Sequence, residues 1–238
     1  PRTSGHDEGL NVVKEIVKTS ADLGLKFLTL YIFSTENWKR AESEVGFLMN
    51  LIHVHLLNEL KFYEENEIKL NHIGDLSALP KLIQKDITDA IEKTKNFNKL
   101  TLNLAINYGG RNEIIRGIQK IIYNGYKRDE ITEDLVKSNL DMPGQPDVDL
   151  LIRTGGEKRL SNFMLYELTY AELYFIETYF PAFTPDMLDD IIDNFYGRDR
   201  RYKALQRGSE VYRTAILRWL QSPWVWTFQN PYHWKIPW

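Results

Sequence analysis

The spacing of apolar residues switches repeatedly between a helical period and short strand-like runs, and this alternation limits the folds open to the chain. Residues 25–33 (Leu-Lys-Phe-Leu-Thr-Leu-Tyr-Ile-Phe) are typical of a buried strand. From Leu10 to Ala21, apolar residues recur instead at the i, i+3 and i+4 positions of a helix face. The same reasoning predicts strands at 25–33, 68–73, 100–106, 148–152 and 173–176, and helices at 10–21, 42–63, 80–96, 111–124, 132–140 and from Thr184 onward. The sequence therefore predicts an α/β fold, a single domain with a central, mostly parallel β-sheet flanked by helices.

Composition excludes several classes of protein. The 238 residues carry 30 Lys and Arg against 33 Asp and Glu, a net charge of −3, so we expect no nucleic-acid partner. The absence of cysteine excludes a disulfide framework, a cysteine zinc site and a thiol nucleophile. No apolar run approaches the ~18 residues that span a bilayer, although work at a membrane surface stays open.

Polar loops follow several predicted strands at the edge where parallel sheets bind ligands. Residues 34–40 (Ser-Thr-Glu-Asn-Trp-Lys-Arg) follow the first strand, and residues 107–111 (Asn-Tyr-Gly-Gly-Arg) follow another. Residues 153–162 combine two glycines with Arg153, Arg159 and Ser161, which suit phosphate oxygens. One Gly-Gly loop alone is more commonly a simple turn, but two anion-suited loops on one sheet predict a phosphate or diphosphate ligand.

In their order along the chain, these stretches resemble the cis-prenyltransferase family, most closely the bacterial undecaprenyl diphosphate synthases (isoprenyl transferases). The matching segments are Gly5-His6 with Gly9, 28–31, 33–38 with Arg40, 107–111, 152–163 and 170–175. They fall within residues 2–205, and their combination is far more specific than any one of them.

The resemblance implies a transferase of isoprenoid biosynthesis that condenses isopentenyl diphosphate repeatedly onto an allylic diphosphate such as farnesyl diphosphate. Each step makes a cis double bond, and the product serves as a lipid carrier for cell-wall synthesis. The family further implies Mg²⁺ as cofactor, a homodimer, and a cytoplasmic location with transient association at the membrane surface for product release. The product needs an apolar tunnel, which the helices at 42–63 and 80–96 could line, although the sequence alone favours core packing as the role of their leucines.

The resemblance also implies roles for individual residues. By position, Arg2 and His6 contact the allylic diphosphate, and Glu172 is a Mg²⁺ ligand. The residues implied to hold isopentenyl diphosphate are Arg153, Arg159, Leu160 and Ser161. The residues implied to form a substrate-closing loop are Ser34, Thr35, Glu36, Asn37, Trp38 and Arg40, with Asn37 as the proton acceptor.

Two parts of the sequence depart from the family pattern. The family begins with a strand that runs into Asp-Gly-Asn-Gly-Arg-Trp, and this segment is not found here. We therefore expect little or no synthase activity from the chain as written. Residues 1–205 form the cis-prenyltransferase-like region, whereas residues 206–238 are an atypical tail with five of the six tryptophans. The tail either packs where the first strand is absent, or contacts a membrane or a partner.

Other readings of the sequence stay open. A non-catalytic subunit of a heteromeric prenyltransferase would explain the absent Asp, but it would not need the complete loops at 34–40 and 153–161. An unrelated nucleotide-binding protein is disfavoured because the sequence lacks a Gly-rich phosphate fingerprint. Residues 189–193 (Asp-Asp-Ile-Ile-Asp) match a trans-prenyl synthase metal motif, but we favour a helix-dipole role for these acids.

Overall fold

A computed structural model describes residues 2–197 and 214–218, with side chains described for residues 9–197. It contains six strands: β1 (Phe27–Ser34), β2 (Ile68–Ile73), β3 (Leu100–Tyr108), β4 (Leu150–Arg153), β5 (Glu172–Phe175) and β6 (Thr214–Arg218). They form one sheet in the order β2-β3-β1-β6-β4-β5, and every pairing is parallel. The predicted fold class and the five predicted strands are therefore confirmed, with shifts of one or two residues at their ends.

Seven helices of the described residues flank the sheet. They are α1 (Arg2–Asp22), α2 (Glu42–Asn58), α3 (Leu60–Glu65), α4 (Lys81–Thr94), α5 (Gly110–Tyr123), α6 (Glu133–Ser138) and α7 (Pro185–Tyr196). The single helix predicted at 42–63 is wrong, because the chain breaks at Glu59 (φ −98°, ψ 4°) into α2 and α3. The predicted start at Thr184 is confirmed, since its hydroxyl accepts a hydrogen bond from the Met187 N–H and Pro185 opens the helix.

The sixth strand comes from the C-terminal segment. Of the uses expected for residues 206–238, packing into the sheet is the one seen, in residues 214–218. Leu217 lies in register with Leu30 on one side and with Ile152 on the other. β6 thus occupies a central position, and β1 and β4 are both joined to it.

The sheet has a core on each face. Leu28 and Leu30 of β1 pack with apolar residues of α1, α2, α4 and α7 on the larger side. Tyr31 faces the smaller core and stacks on Phe163, with ring centroids 4.2 Å apart. Because both faces are covered, β1 consists almost wholly of apolar residues. Within the described residues, no helix is both long and apolar enough to cross a membrane.

Candidate active site

The loop after β1 is held in a tight turn by Asn37. The backbone N–H of Ser34 donates to the Asn37 side-chain oxygen Oδ1 at 2.7 Å, and residues Thr35–Lys39 form a 3₁₀ turn. Asn37 is 5% exposed. Its amide oxygen is therefore already an acceptor, and the side chain fixes the direction in which the chain leaves the sheet.

Trp38 is anchored by a residue that the sequence left without a role. Its indole Nε1 donates to Asn107 Oδ1 at 2.7 Å, and its ring meets Phe33 edge-on at 5.1 Å. Asn107, at φ 53°, also donates from Nδ2 to the Asp75 carbonyl at 2.8 Å. The β3 end thereby holds the loop of the neighbouring β1 strand.

A second asparagine joins three loops at this edge. Asn162 (φ 61°) donates from Nδ2 to Glu36 Oε1 at 2.7 Å, and its Oδ1 accepts from the Arg111 N–H at 2.9 Å. Its carbonyl accepts from the Gly110 N–H at 2.7 Å. A β-carbon at Gly109 would lie 2.5 Å from Thr35 Oγ1 and 2.8 Å from Asn162 Nδ2. Glycine is needed at 109 for this close approach.

These contacts also set the charge of Glu36. Burial acts to raise the pKa of Glu36, but hydrogen bonds to its carboxylate, led by that from Asn162, outweigh burial and leave the pKa below its ordinary value. Glu36 is therefore ionised at neutral pH. Arg40, at the far end of the loop, forms an ion pair with Glu44 at 2.5 Å.

The loop after β4 buries a cation. Arg153 is 2% exposed, and its Nη1 donates to Ser161 Oγ at 3.3 Å and to the Arg159 carbonyl. Its Nη2 is buried without a hydrogen-bond partner. Burial, with a smaller contribution from Arg159, lowers the pKa of Arg153. Because an unpaired buried guanidinium N–H is costly, this group is suited to receive an anion.

The rest of this loop shapes the space around Arg153. Arg159 forms an ion pair with Glu157, and Leu160 packs against the smaller core. Gly156 adopts φ 75°, and a β-carbon there would lie 2.5 Å from Glu177 Oε2. The structure therefore brings Ser34–Arg40, Arg153, Arg159, Leu160 and Ser161 to one edge of the sheet, as predicted from the ends of parallel strands.

The remaining predicted residues lie elsewhere or outside the described part. Glu172 is the first residue of β5 and pairs with Leu150, whereas Arg153 pairs with Phe175. Glu172 is thus three residues, about 10 Å, from the Arg153 edge. Arg2 and His6 lie in the first turns of α1, and their side chains fall outside the described residues.

The positions of the acidic residues show whether a Mg²⁺ ion could be held at this edge. Within the described side chains, no three His, Asp or Glu residues come together to hold a metal. Glu36 and Glu157 at the edge already bind Asn162 and Arg159, and Glu172 lies at the other end of its strand. The described residues do not assemble a Mg²⁺ site at the Arg153 edge.

An apolar cavity lies beneath the sheet on the larger-core side. Its volume is about 40 Å³. Its walls come from α1, α2, α3, β1 and β3: Leu10, Val13, Leu30, Ile32, Leu48, Leu51, Ile52, His55, Leu56, Tyr63, Leu104 and Ile106. The helix predicted at 80–96 contributes no residue to this lining in the described chain, so the expected second wall is wrong. Ile32 and Ile106 lie two residues before the ends of their strands, so the cavity wall reaches the ligand-binding edge.

The two polar residues in this lining bind each other. His55 Nε2 lies 2.9 Å from the Tyr63 hydroxyl. Burial lowers the pKa of His55 to about 4, so the imidazole is neutral at pH 7. The lining therefore carries no charge at neutral pH and is apolar, as a hydrocarbon group requires.

Comparison with known proteins identifies the family. The prenyltransferase family model, which describes undecaprenyl diphosphate synthases, matches residues 1–203. The isoprenyl transferase of Treponema denticola is 52% identical over 202 residues, covering 85% of this chain and 88% of that protein. The isoprenyl transferase of Clostridium perfringens is 44% identical over 210 residues, covering 87% and 83%.

Comparison with solved structures points to the same family. A probable undecaprenyl diphosphate synthase from Campylobacter jejuni matches with a TM-score of 0.76 and 39% identity, over 82% of this chain and 92% of that one. Lavandulyl diphosphate synthase from Lavandula x intermedia, in complex with dimethylallyl diphosphate, matches with a TM-score of 0.78 and 33% identity, over 84% and 88%. The chain thus belongs to the isoprenyl transferase (undecaprenyl diphosphate synthase) family and is a prenyltransferase.

Proposed function

We propose that this prenyltransferase condenses isopentenyl diphosphate onto an allylic diphosphate and lengthens the product by repetition. The observation that carries this proposal is the buried Arg153 guanidinium, whose Nη2 has no partner, at an edge reached by the wall of an apolar cavity. A prenyl diphosphate has two parts, a diphosphate that a cation can bind and a hydrocarbon that an uncharged cavity can hold. The lavender relative was solved with dimethylallyl diphosphate, which is an allylic diphosphate.

In the proposed reaction, the allylic C–O bond breaks and the diphosphate leaves. The double bond of isopentenyl diphosphate attacks the resulting allylic cation and a C–C bond forms. The new carbocation then loses a proton from the adjacent carbon to the departed diphosphate. Arg153, Arg159 and Ser161 hold the isopentenyl diphosphate, because guanidinium and hydroxyl groups donate to phosphate oxygens. The growing chain enters the apolar cavity and is kept from water there.

Two roles taken from the resemblance stay proposals. Mg²⁺, when bound, would neutralise charge on the departing diphosphate, but no step is assigned to it because the described residues do not form its site. Asn37 holds Ser34 through its amide oxygen, so its contribution in the structure is to position the loop. The carrier role in cell-wall synthesis and the cytoplasmic location, with release at a membrane surface, rest on the family.

The test measures substrate binding and turnover separately. Calorimetry reports isopentenyl diphosphate binding, and labelled isopentenyl diphosphate with farnesyl diphosphate and Mg²⁺ reports solvent-extractable polyprenyl product. Arg153→Gln should weaken isopentenyl diphosphate binding about 10- to 100-fold, the value of a charge-assisted hydrogen-bond pair. Arg128→Gln, at an exposed arginine on the turn Arg128–Glu130, is the matched control.

Turnover is measured on the chain as given and on the same chain with an added Asp-Gly-Asn-Gly-Arg-Trp segment. Product from either chain supports the proposal. Absence of product from both, with both folded, would contradict it and leave a non-catalytic subunit, an alternative that the named relatives do not favour.

The proposed homodimer would use the exposed face of α5. Ile115, Ile118, Ile122 and Tyr123 fall on one side of this helix, and Ile122 and Tyr123 are 70% and 91% exposed. Such a contiguous apolar stripe is costly in water and fits a second copy of the chain. Ile122→Lys should convert dimer to monomer in light scattering, whereas Ile131→Lys, at an exposed isoleucine off this helix, should not. A dimer that persists in Ile122→Lys would reject this surface.

A further inference from the structure

Asn107 is a buried polar residue with a strained backbone at the edge that carries the candidate site. It is 3% exposed, lies next to the last residue of β3, and adopts φ 53°, in the left-handed region that residues other than glycine seldom occupy. Such a conformation persists only where the surrounding structure fixes it, and it is concentrated at functional sites. The contacts of Asn107 therefore indicate what this conformation serves.

The loop after β2 fixes Asn107 from one side. The Asp75 N–H donates to the Asn107 carbonyl at 3.0 Å, and Asn107 Nδ2 donates back to the Asp75 carbonyl at 2.8 Å. Gly74 (φ 127°) lies so close that a β-carbon there would be 2.8 Å from the Asn107 carbonyl oxygen. These contacts use the carbonyl and the Nδ2 group of Asn107, and its side-chain oxygen Oδ1 is left for a partner outside this pair.

That partner is the indole of Trp38, whose Nε1 donates to Asn107 Oδ1 at 2.7 Å. Trp38 is 38% exposed, so solvent lies over part of its ring. The hydrogen bond to Asn107 and the edge-on contact with Phe33 are directional contacts that hold the side chain at this edge. Asn107 therefore joins the loop after β2 to the loop after β1.

The Trp38 turn is connected in the other direction to the buried cation. Glu36, two residues before Trp38 in the same 3₁₀ turn, accepts a hydrogen bond from Asn162. The preceding residue, Ser161, accepts from the Arg153 guanidinium. A release of Trp38 would thus loosen one end of a series of contacts that leads to Arg153.

We propose that Asn107 is a positioning residue for diphosphate binding, because it anchors Trp38 and so keeps the Ser34–Arg40 loop against the loop that carries Arg153. Asn107 acts through Trp38 and need not touch the ligand. A loop that is fixed before the ligand arrives loses less conformational entropy on binding. The ligand class rests on the proposed function, whereas the anchoring of Trp38 can be tested without any ligand.

The variants separate the side chain of Asn107 from its backbone conformation. Asn107→Gly removes the amide and accepts the positive φ without strain. Asn107→Asp keeps an oxygen acceptor for the indole N–H, and aspartate also tolerates this φ. The matched control is Glu67→Gly, at an exposed residue with φ 54° that precedes β2 and so lies at the opposite edge of the sheet.

The first measurement observes the anchor itself in the full chain. Spectra that correlate the ¹⁵N and ¹H of the indole groups contain one signal for each of the six tryptophans, and Trp38→Phe identifies that of Trp38. Asn107→Gly should move the Trp38 signal toward that of free indole, whereas Asn107→Asp and Glu67→Gly should leave it near its native position. A Trp38 signal that does not move in a folded Asn107→Gly would overturn the inference.

Hydrogen exchange tests the same bond in the native chain, so it does not depend on the folding of the Asn107 variants. The indole N–H of Trp38 should exchange with water more slowly than that of free tryptophan, because it is bonded to a buried oxygen. Exchange at the rate of free tryptophan would overturn the inference.

The second quantity is the affinity for isopentenyl diphosphate, measured by calorimetry. Asn107→Gly should weaken binding about 3- to 10-fold, the value of one side chain that must be ordered on binding. Asn107→Asp should recover most of this loss, and Glu67→Gly should cause none. In a Trp38→Phe background, Asn107→Gly should weaken binding by less than about twofold, because the partner is already gone. Equal weakening in both backgrounds would show that Asn107 acts independently of Trp38 and would overturn the inference.

These outcomes separate the inference from the proposed function. A Trp38 signal that depends on Asn107, in a native chain that binds no isopentenyl diphosphate, would support the anchor and reject the proposed ligand. Isopentenyl diphosphate binding of native strength in a folded Asn107→Gly would reject the role of Asn107 and leave the proposed function intact.

Discussion

Because β6 is a central strand, we expect the loss of one of its backbone hydrogen bonds to lower the free energy of unfolding by a large share. Ile216 lies in the middle of β6, in register with Thr29 of β1 and Leu151 of β4. Ile216→Pro removes an N–H that a strand with neighbours on both sides uses in its ladder. The carbonyl left without a donor is buried, which costs about 1–3 kcal/mol, and steric conflict of the ring brings the expected loss to about 3 kcal/mol or more.

A loss of this size is large against a total stability of about 5–15 kcal/mol. With a slope of about 2 kcal/mol per molar urea, the unfolding midpoint should fall by about 1.5 M. The matched control is Ala41→Pro, at an exposed position with φ −56° that follows an extended Arg40. Proline fits there, so the control should change stability by less than about 1 kcal/mol. A midpoint for Ile216→Pro within about 0.3 M of the native value, at unchanged slope, would refute the central placement of β6.

Three further predictions concern the site, a buried acid pair and the metal. Gly109→Ala should weaken isopentenyl diphosphate binding at least tenfold, because its β-carbon collides with two loops. Gly46→Ala, with open space around it, is the control and should not weaken binding. Equal binding by both variants would contradict the close approach of the loops at Gly109. Burial raises the pKa of Glu113 to about 7 and that of Glu167 to about 8, so the folded state keeps protons that the unfolded state releases, and stability should fall as pH rises from about 4.5 to 8. Glu167→Gln should reduce this loss of stability, measured as the free energy of unfolding in urea titrations at pH 5, 7 and 8.5. An equal loss in the variant would reject the raised pKa of Glu167. In the chain with the added Asp-Gly-Asn-Gly-Arg-Trp segment, chelation of Mg²⁺ should abolish label incorporation but leave isopentenyl diphosphate binding at Arg153, and loss of both would show that the metal is needed for binding as well.

The sequence predicted those parts of the fold that depend on local pattern. β1 was visible because both of its faces are buried, which makes its run of apolar residues nearly continuous. The break at Glu59 was not visible, because Leu56 and Leu60 keep the helical spacing across it and no glycine or proline marks it. The strand Thr214–Arg218 was not predicted, because its apolar run, Ala215 to Leu217, is only three residues long.

The site was predictable as a set of loops but not as a set of contacts. Strand ends located Arg153 and the Ser34–Arg40 loop, since parallel strands end at one edge. Asn107 and Asn162 received no role, because their partners Trp38 and Glu36 lie 69 and 126 residues away in the chain. A signal for both did exist, because asparagine is among the residues that tolerate the positive φ that both adopt, and Asn107 lies next to the last residue of β3.

The position of β6 has a consequence for the order in which the protein is made. Ribosomes extend a chain at about 5–20 residues per second, so β1 to β5 leave the ribosome several seconds before residues 214–218. Until then β2-β3-β1 and β4-β5 are separate blocks, each with one edge that a parallel strand must later fill. The nascent chain passes through a stage in which β6, one of the two central strands and the last of the six described strands along the chain, is still missing, and during this stage two open edges are available to any other extended segment. Slow passage through the codons for residues 176–214 is therefore expected to lengthen the period in which this protein needs a chaperone.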